Sequence, residues 1–249
     1  MTGADAPTDD AFLGGRLRLL QPARGYRAGV DAVLLAACAP VAGAVDVIDA
    51  GSGVGTVGLC VAARCPEARV TLVEREPGMV ELARQNVARN GLADRVRVIE
   101  ADLGDASALD ADSFDHLLAN PPYQIVGRGR RSPDAIKAAA HEMPPDGLET
   151  WARFFARVVR PGGRVTVIHR ADALSELLAV LDGRFGAVLV KPVHPRSDEP
   201  AIRVLVQATK GSRAPLTIAP PMALHAADGS YTPHLEAVLR EGAAVDLGA

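Results

Sequence analysis

Residues 45–50, "VDVIDA", form a short β-rich run that ends in the turn Gly51-Ser52-Gly53-Val54-Gly55 and passes directly into the helix-like stretch 56–65. Closely spaced glycines let a backbone approach a ligand, and the start of a helix offers N–H groups that have no partner within the helix. A strand that runs through a glycine turn into a helix belongs to α/β sheets, so this stretch narrows the possible folds more than any other. The rest of the chain keeps the alternation. Strand-like runs at 69–74, 95–101, 113–119 and 164–169 are interleaved with helix-like runs at 77–90, 148–160 and 172–181. Pro77 suits a first helical turn, Gly91 suits the position just past a helix end, and Asp172 reads as the cap of the helix that follows it. The runs 187–193 and 201–208 are joined by a connection too short for a parallel crossover, so they pair antiparallel.

The pattern predicts an α/β doubly wound Rossmann-like sheet, mostly parallel with an antiparallel last strand, and helices on both faces. Residues 45–208 form its core. Residues 1–44 add a small hairpin or edge strand around "GGRLRLLQP" and a helix at 29–39 capped by Asp31. Residues 209–249 add a further strand and a final helix, with Thr232 as cap and Pro233 at its first position. The 249 residues suit one large domain with no dividing linker. The net charge of −3 supplies no global basic field, so any nucleic acid must meet a local patch. Cys38, Cys60 and Cys65 contain no CxxC pair and read as core thiols in a reducing compartment, and the histidines show no metal spacing. The chain opens with an acidic stretch rather than a signal peptide. Its longest apolar run, 32–45, is too short for a membrane span, and a cytoplasmic protein is expected.

Three acids stand where successive strands end: Asp49, Glu74 and Asp102. "GVGTVG" from Gly53 fits a dinucleotide fingerprint, with Glu74 about twenty residues on. However, the turn already begins at Gly51, and Asp49 would repel a pyrophosphate. A carboxylate there suits a cationic ligand such as S-adenosylmethionine, with its amino group and sulfonium. Glu74 is placed to take both ribose hydroxyls, and Asp102 the adenine amino group. Gly51, Ser52, Gly53, Gly55, Arg75 and Leu103 complete this cofactor site.

After the fourth strand comes Asn120-Pro121-Pro122-Tyr123, on the same sheet edge as the glycine turn. An amino group conjugated with a ring or carbonyl is a poor nucleophile. Two acceptors around its hydrogens favour pyramidalisation and stabilise the developing charge. The Asn120 side-chain oxygen and the Pro121 carbonyl are those acceptors. The proline pair stiffens the turn, and Tyr123 offers a stacking face. Asn120 thus borders the cofactor as well as the target. The following stretch carries Arg128, Arg130, Arg131, Lys137 and His141, a charge pattern suited to RNA phosphates and a substrate lid. Lys191, Arg196, Lys210 and Arg213 extend that patch.

At these residues the chain resembles class I S-adenosylmethionine-dependent methyltransferases, "DAGSGVG" matching their glycine motif and "NPPY" the catalytic motif of amino-methyltransferases. The phrases "GYRAGVDAVLLAA", "LANPPY", "HRADAL", "KGSRAPL" and "LHAADGSYTP" resemble the bacterial tRNA1(Val) (adenine-N6)-methyltransferase family. The resemblance implies a seven-stranded methyltransferase sheet, a tRNA substrate methylated beside the anticodon, and a place for Tyr26 to Asp31 near the methionine end of the cofactor. Alternatives are an rRNA guanine or adenine, a protein glutamine, a non-catalytic RNA- or cofactor-binding module, and an NAD-dependent oxidoreductase.

Overall fold

The structure, a computed structural model, describes residues 6–25, 27–39, 43, 45–105, 107, 109–125, 142–143 and 147–247. Its centre is a sheet of seven strands: β3 (Asp46–Ala50), β4 (Arg69–Glu74), β5 (Val96–Glu100), β6 (Phe114–Ala119), β9 (Val159–Arg170), β10 (Phe185–His194) and β11 (Arg203–Lys210). They lie in the order β10-β11-β9-β6-β3-β4-β5. β11 inserts between β10 and β9 and runs antiparallel to both, while the other pairs are parallel. Where one further strand was expected after residue 208, two short ones form, β12 (Thr217–Ile218) and β13 (Met222–Ala223), and extend the sheet by pairing parallel with β10. Two more, β7 (Gln124–Ile125) and β8 (Glu142–Met143), pair with each other.

The central strands are buried on both faces, which is why they read as continuous apolar runs rather than as alternating ones. Neighbouring residues serve opposite cores: Val47 and Leu118 pack on one side, Ile48 and Leu117 on the other. The first face carries α1 (Val30–Ala36), α2 (Thr56–Arg64) and α3 (Pro77–Arg89). The second carries α4 (Gly147–Val158) and α5 (Leu174–Leu181). Cys38, Cys60 and Cys65 are all buried in the first core.

The expected N-terminal hairpin is β1 (Thr8–Phe12) with β2 (Leu17–Gln21), a separate two-stranded sheet. It docks on α3 through two asparagine side chains that imitate a neighbouring strand. Asn86 accepts from Leu20 N at 2.7 Å and donates to Leu20 O at 3.0 Å. Asn90 does the same with Arg18 N and O, at 3.0 and 2.9 Å. The C-terminal segment enters the same core through Leu235, Val238, Val245 and Leu247. Thr232 caps the short helix α6 (Pro233–Glu236) as expected, accepting from Leu235 N.

Three local expectations are corrected. α1 starts at Val30, so Asp31 lies inside the first turn and is not its cap, and its carboxylate points to partners distant in sequence. Asp172 lies in a 3-10 turn, Ala171–Ala173, ahead of α5, and its carboxylate pairs with Arg170 instead of capping the helix. α4 ends at Val158, and β9 already begins at Val159. The strand runs through Pro161-Gly162-Gly163 with a break in register between Phe114 and His116 on its partner.

Candidate functional site

Parallel strands bring their carboxyl ends to one edge, and the elements predicted to share a site meet there. Gly51 has φ +66°, a left-handed conformation that glycine adopts without a steric penalty. A Cβ at Gly51 would lie 2.5 Å from the Trp151 indole, so the only tryptophan of the chain rests on the turn. Gly58, the third glycine of "GVGTVG", lets α2 approach β4: a Cβ there would lie 2.2 Å from Leu72 and 2.9 Å from Val70.

Asp49 lies beneath the turn rather than at its mouth. It is 1 % exposed, and Oδ2 accepts from Gly58 N at 2.9 Å. Burial pushes its carboxyl up to about 7, against the Gly58 hydrogen bond and with help from the Glu74 charge. Glu74 braces both neighbours of the strand end. Oε2 accepts from Gly53 N at 2.8 Å, and Oε1 accepts from Arg75 N and Glu76 N, each at 2.9 Å. Asp102 is exposed beyond β5, accepts from Gly104 N at 2.7 Å and faces Arg75 at 3.4 Å. Leu103 follows in a 3-10 turn, Leu103–Asp105, partly packed against the second core. The hydroxyl oxygens of Ser52 and Thr56 are buried in this turn with no hydrogen-bond partner among the described residues. Buried polar atoms normally find partners, so these two, with the helix-start N–H groups, fit a polar ligand lying on the turn.

One strand over, Ala119 pairs with Ala50, which puts Asn120 beside Gly51. Pro121 is buried, while Asn120, Pro122 and Tyr123 are half-buried. The Tyr123 hydroxyl donates toward Asn120 Oδ1 at 2.6 Å and toward Asp31 Oδ2 at 3.0 Å. Arg203, the first residue of β11, donates from Nε to the same Asp31 oxygen at 2.9 Å. Its guanidinium carbon lies 4.8 Å from the centroid of the Tyr123 ring. His169, at the end of β9, meets that ring edge-on at 5.3 Å. Burial holds the His169 imidazole below its ordinary value. The sequence reading missed Arg203, Trp151 and Asn86 as parts of this edge. A signal for Arg203 was available: an antiparallel strand begins at the edge where parallel strands end.

The wider basic patch does not assemble as expected. Lys191 is buried and donates to Pro220 O at 3.1 Å. Lys210 ends β11 at the opposite edge of the sheet, where it bonds Val159 O at 2.7 Å, and Arg213 follows it there. Arg196 pairs with Glu199 at 2.7 Å. His116 is a packing residue, bonded to Thr166 Oγ1 at 2.7 Å, and burial lowers its imidazole to about 3. Tyr26, Arg128, Arg130, Arg131, Lys137 and His141 lie outside the described residues. Among the described residues no group of three or more His, Cys, Asp or Glu is arranged to hold a metal ion, and no helix is long and apolar enough to cross a membrane.

Known proteins share this fold. The family described as Methyltransferase small domain matches residues 28–149. A tRNA1(Val) (adenine(37)-N6)-methyltransferase from Aeromonas hydrophila is 32% identical over 208 residues, covering 83% of this chain and 85% of the relative. One from Porphyromonas gingivalis is 29% identical over 239 residues, covering 91% and 92%. Among solved structures, an Agrobacterium tumefaciens protein described as a predicted O-methyltransferase superposes with TM-score 0.73 at 33% identity, covering 86% of this chain and 98% of that one. The similarity covers most of both chains, and this chain belongs to the family of tRNA1(Val) (adenine(37)-N6)-methyltransferases.

Proposed function

We propose that the protein methylates the exocyclic N6 amino group of an adenine in tRNA, the adenine 37 of a valine tRNA for which its relatives are named, using S-adenosylmethionine. One observation carries the reading. The register pair Ala50 and Ala119 makes the glycine turn and the Asn120-Pro121-Pro122-Tyr123 turn immediate neighbours. A methyl donor on the first then adjoins an amine acceptor on the second.

The cofactor supplies an electrophilic methyl group when bound. The chain's residues hold it and orient its partner. Gly51, Gly53 and Gly55 shape the cradle, Ser52 and Thr56 offer hydroxyls into it, and Glu74 and Asp102 present acceptors to the ribose and the base. Leu103 and Trp151 border it with apolar surface. Asp49 supports the turn from beneath and adds negative potential to it. Asn120 Oδ1 and the Pro121 carbonyl accept the two hydrogens of the target amine, which turns its lone pair toward the methyl group. The Tyr123 ring packs on the target base, which must leave its stack to reach the site.

The test is transfer of labelled methyl to total tRNA, total rRNA and protein from a strain lacking the enzyme, followed by nucleoside analysis. Label in N6-methyladenosine from tRNA is the expected result. Label in a ribose 2′-O-methyl group, in rRNA or in a glutamine side chain would overturn the substrate assignment.

A further inference from the structure

The Tyr123 hydroxyl has one proton, and among the described residues it reaches two acceptors. Asn120 Oδ1 stands 2.6 Å away and Asp31 Oδ2 3.0 Å away. The ring itself is clamped. Arg203 lies over one face at 4.8 Å from its centroid, and His169 meets it edge-on. Arg203 also holds Asp31 Oδ2 at 2.9 Å, so one oxygen serves both the guanidinium and the phenol. In this arrangement the amide oxygen proposed to accept the substrate amine already accepts from its own motif. An oxygen that accepts from one strong donor is a weaker acceptor for a second.

We infer that Asp31, held in place by Arg203, is the alternative acceptor for the Tyr123 hydroxyl, and that moving this hydrogen bond from Asn120 to Asp31 frees the amide oxygen for the substrate amine. The movement is a rotation of one O–H between two acceptors already within reach, and no covalent bond changes. A carboxylate accepts more strongly than an amide, so the hydroxyl has a better partner once the amine occupies Asn120. Arg203 is a positioning residue: it fixes the carboxylate oxygen at the phenol and lies over the ring. The inference rests on the reading of Asn120 as the amine's acceptor.

The test is a double-mutant cycle on the full-length protein. Asp31→Asn and Arg203→Met are each made with Tyr123 and with Tyr123→Phe. Single-turnover methylation of tRNA is measured with enzyme in excess, so that slow variants remain comparable, and thermal melts establish that each variant folds. With Tyr123 present and S-adenosylmethionine saturating, Asp31→Asn lowers the rate about tenfold, the scale of one hydrogen bond. On the Tyr123→Phe baseline the same substitution changes the rate by less than about twofold. Arg203→Met reproduces the pattern and substitutes for Asp31→Asn if that variant does not fold. An equal loss in both backgrounds, or no loss with Tyr123 present, would overturn the inference. A normal rate in Asn120→Ala would instead defeat the underlying reading of Asn120.

Discussion

Asn120 and Asp49 make opposite demands on their surroundings. In the proposed role Asn120 presents its oxygen to the substrate amine, and it follows a strand directly with two prolines after it. Asp49 needs burial to brace a turn, and the fold raises its carboxyl to about 7 in doing so. Asn120→Ala is expected to lower methyl transfer by about two to three orders of magnitude, the loss typical of one preorganised polar group. Cofactor affinity, read by titration with S-adenosylhomocysteine, should be kept. The raised Asp49 carboxyl makes stability depend on pH. A carboxyl whose folded value lies above its unfolded value favours the folded state when protonated. Its contribution is full below about pH 4 and is lost as pH rises through about 7. Each tenfold change in proton affinity is worth about 1.4 kcal/mol, so in the unliganded protein ionised Asp49 costs up to about 4 kcal/mol. Asp49→Asn keeps an acceptor for Gly58 N and removes this cost. Its melting temperature relative to the parent should therefore rise between pH 4 and 8, and a pH-independent difference would refute the assignment. At this scale the residue types were legible, since a buried strand-end acid, positive-φ glycines and a double proline are each demanded by local backbone or charge. Their partners were not. Tyr123 bonds Asp31 across 92 residues of sequence, and Arg203 bonds Asp31 across 172.

At the scale of elements, most of the fold could be read from the chain. β4 matches its predicted run at both ends, and α3 and β6 match within a residue. Apolar runs, a proline at a helix start and a glycine past its end act over a few residues and so survive reading without tertiary context. The start of β9 escaped because Pro-Gly-Gly reads as a stop, whereas the structure uses it as a register break inside a strand. The docking of the hairpin also escaped, because asparagine side chains replace the backbone partners that a sequence pattern would show. Asn86 is fully buried and also donates to Val54 O at 3.1 Å, joining the hairpin, α3 and the glycine turn. Asn86→Ala leaves Leu20 N and O and Val54 O without this partner, and buried polar groups left so cost about 1–3 kcal/mol each. A loss of about 3 kcal/mol or more is expected in denaturant unfolding. A weaker affinity for S-adenosylhomocysteine should accompany it, because the glycine turn loses a support. A loss below about 1 kcal/mol would show that Asn86 does not hold the hairpin to α3.

Across the whole molecule, the polar groups proposed for the site gather at one edge of the sheet. Glu74, Asp102, Asn120, Arg203 and Arg170 collect at the edge where the parallel strands end, while Lys210 and Arg213 lie at the other. The chain's net charge of −3 leaves RNA attraction to local groups, and the densest run of arginines near the catalytic turn in sequence is Arg128, Arg130 and Arg131. Replacing these three with alanine should weaken tRNA binding and reduce the slope of log affinity against log salt by up to about 3. An unchanged slope would remove them from the interface. Both extensions share the core of the central sheet: Arg64 donates to Gly242 O at 2.8 Å and to Ala36 O, tying the C-terminal segment to α1.

By itself the sequence determined the alternation of strands and helices, the glycine turn and the proline-stiffened Asn120 to Tyr123 turn that follows a strand. Each depends on what a short stretch of backbone can adopt, and residue types record that directly. The tertiary structure alone decided which of the remaining polar groups join the site. Insertion of β11 between β9 and β10 sets Arg203 against Asp31 and the Tyr123 ring. Burial turns Lys191 inward and Asp49 beneath the glycine turn. The reason is physical: strand order and burial minimise the free energy of the whole packed sheet, and no local pattern encodes a choice made by the whole.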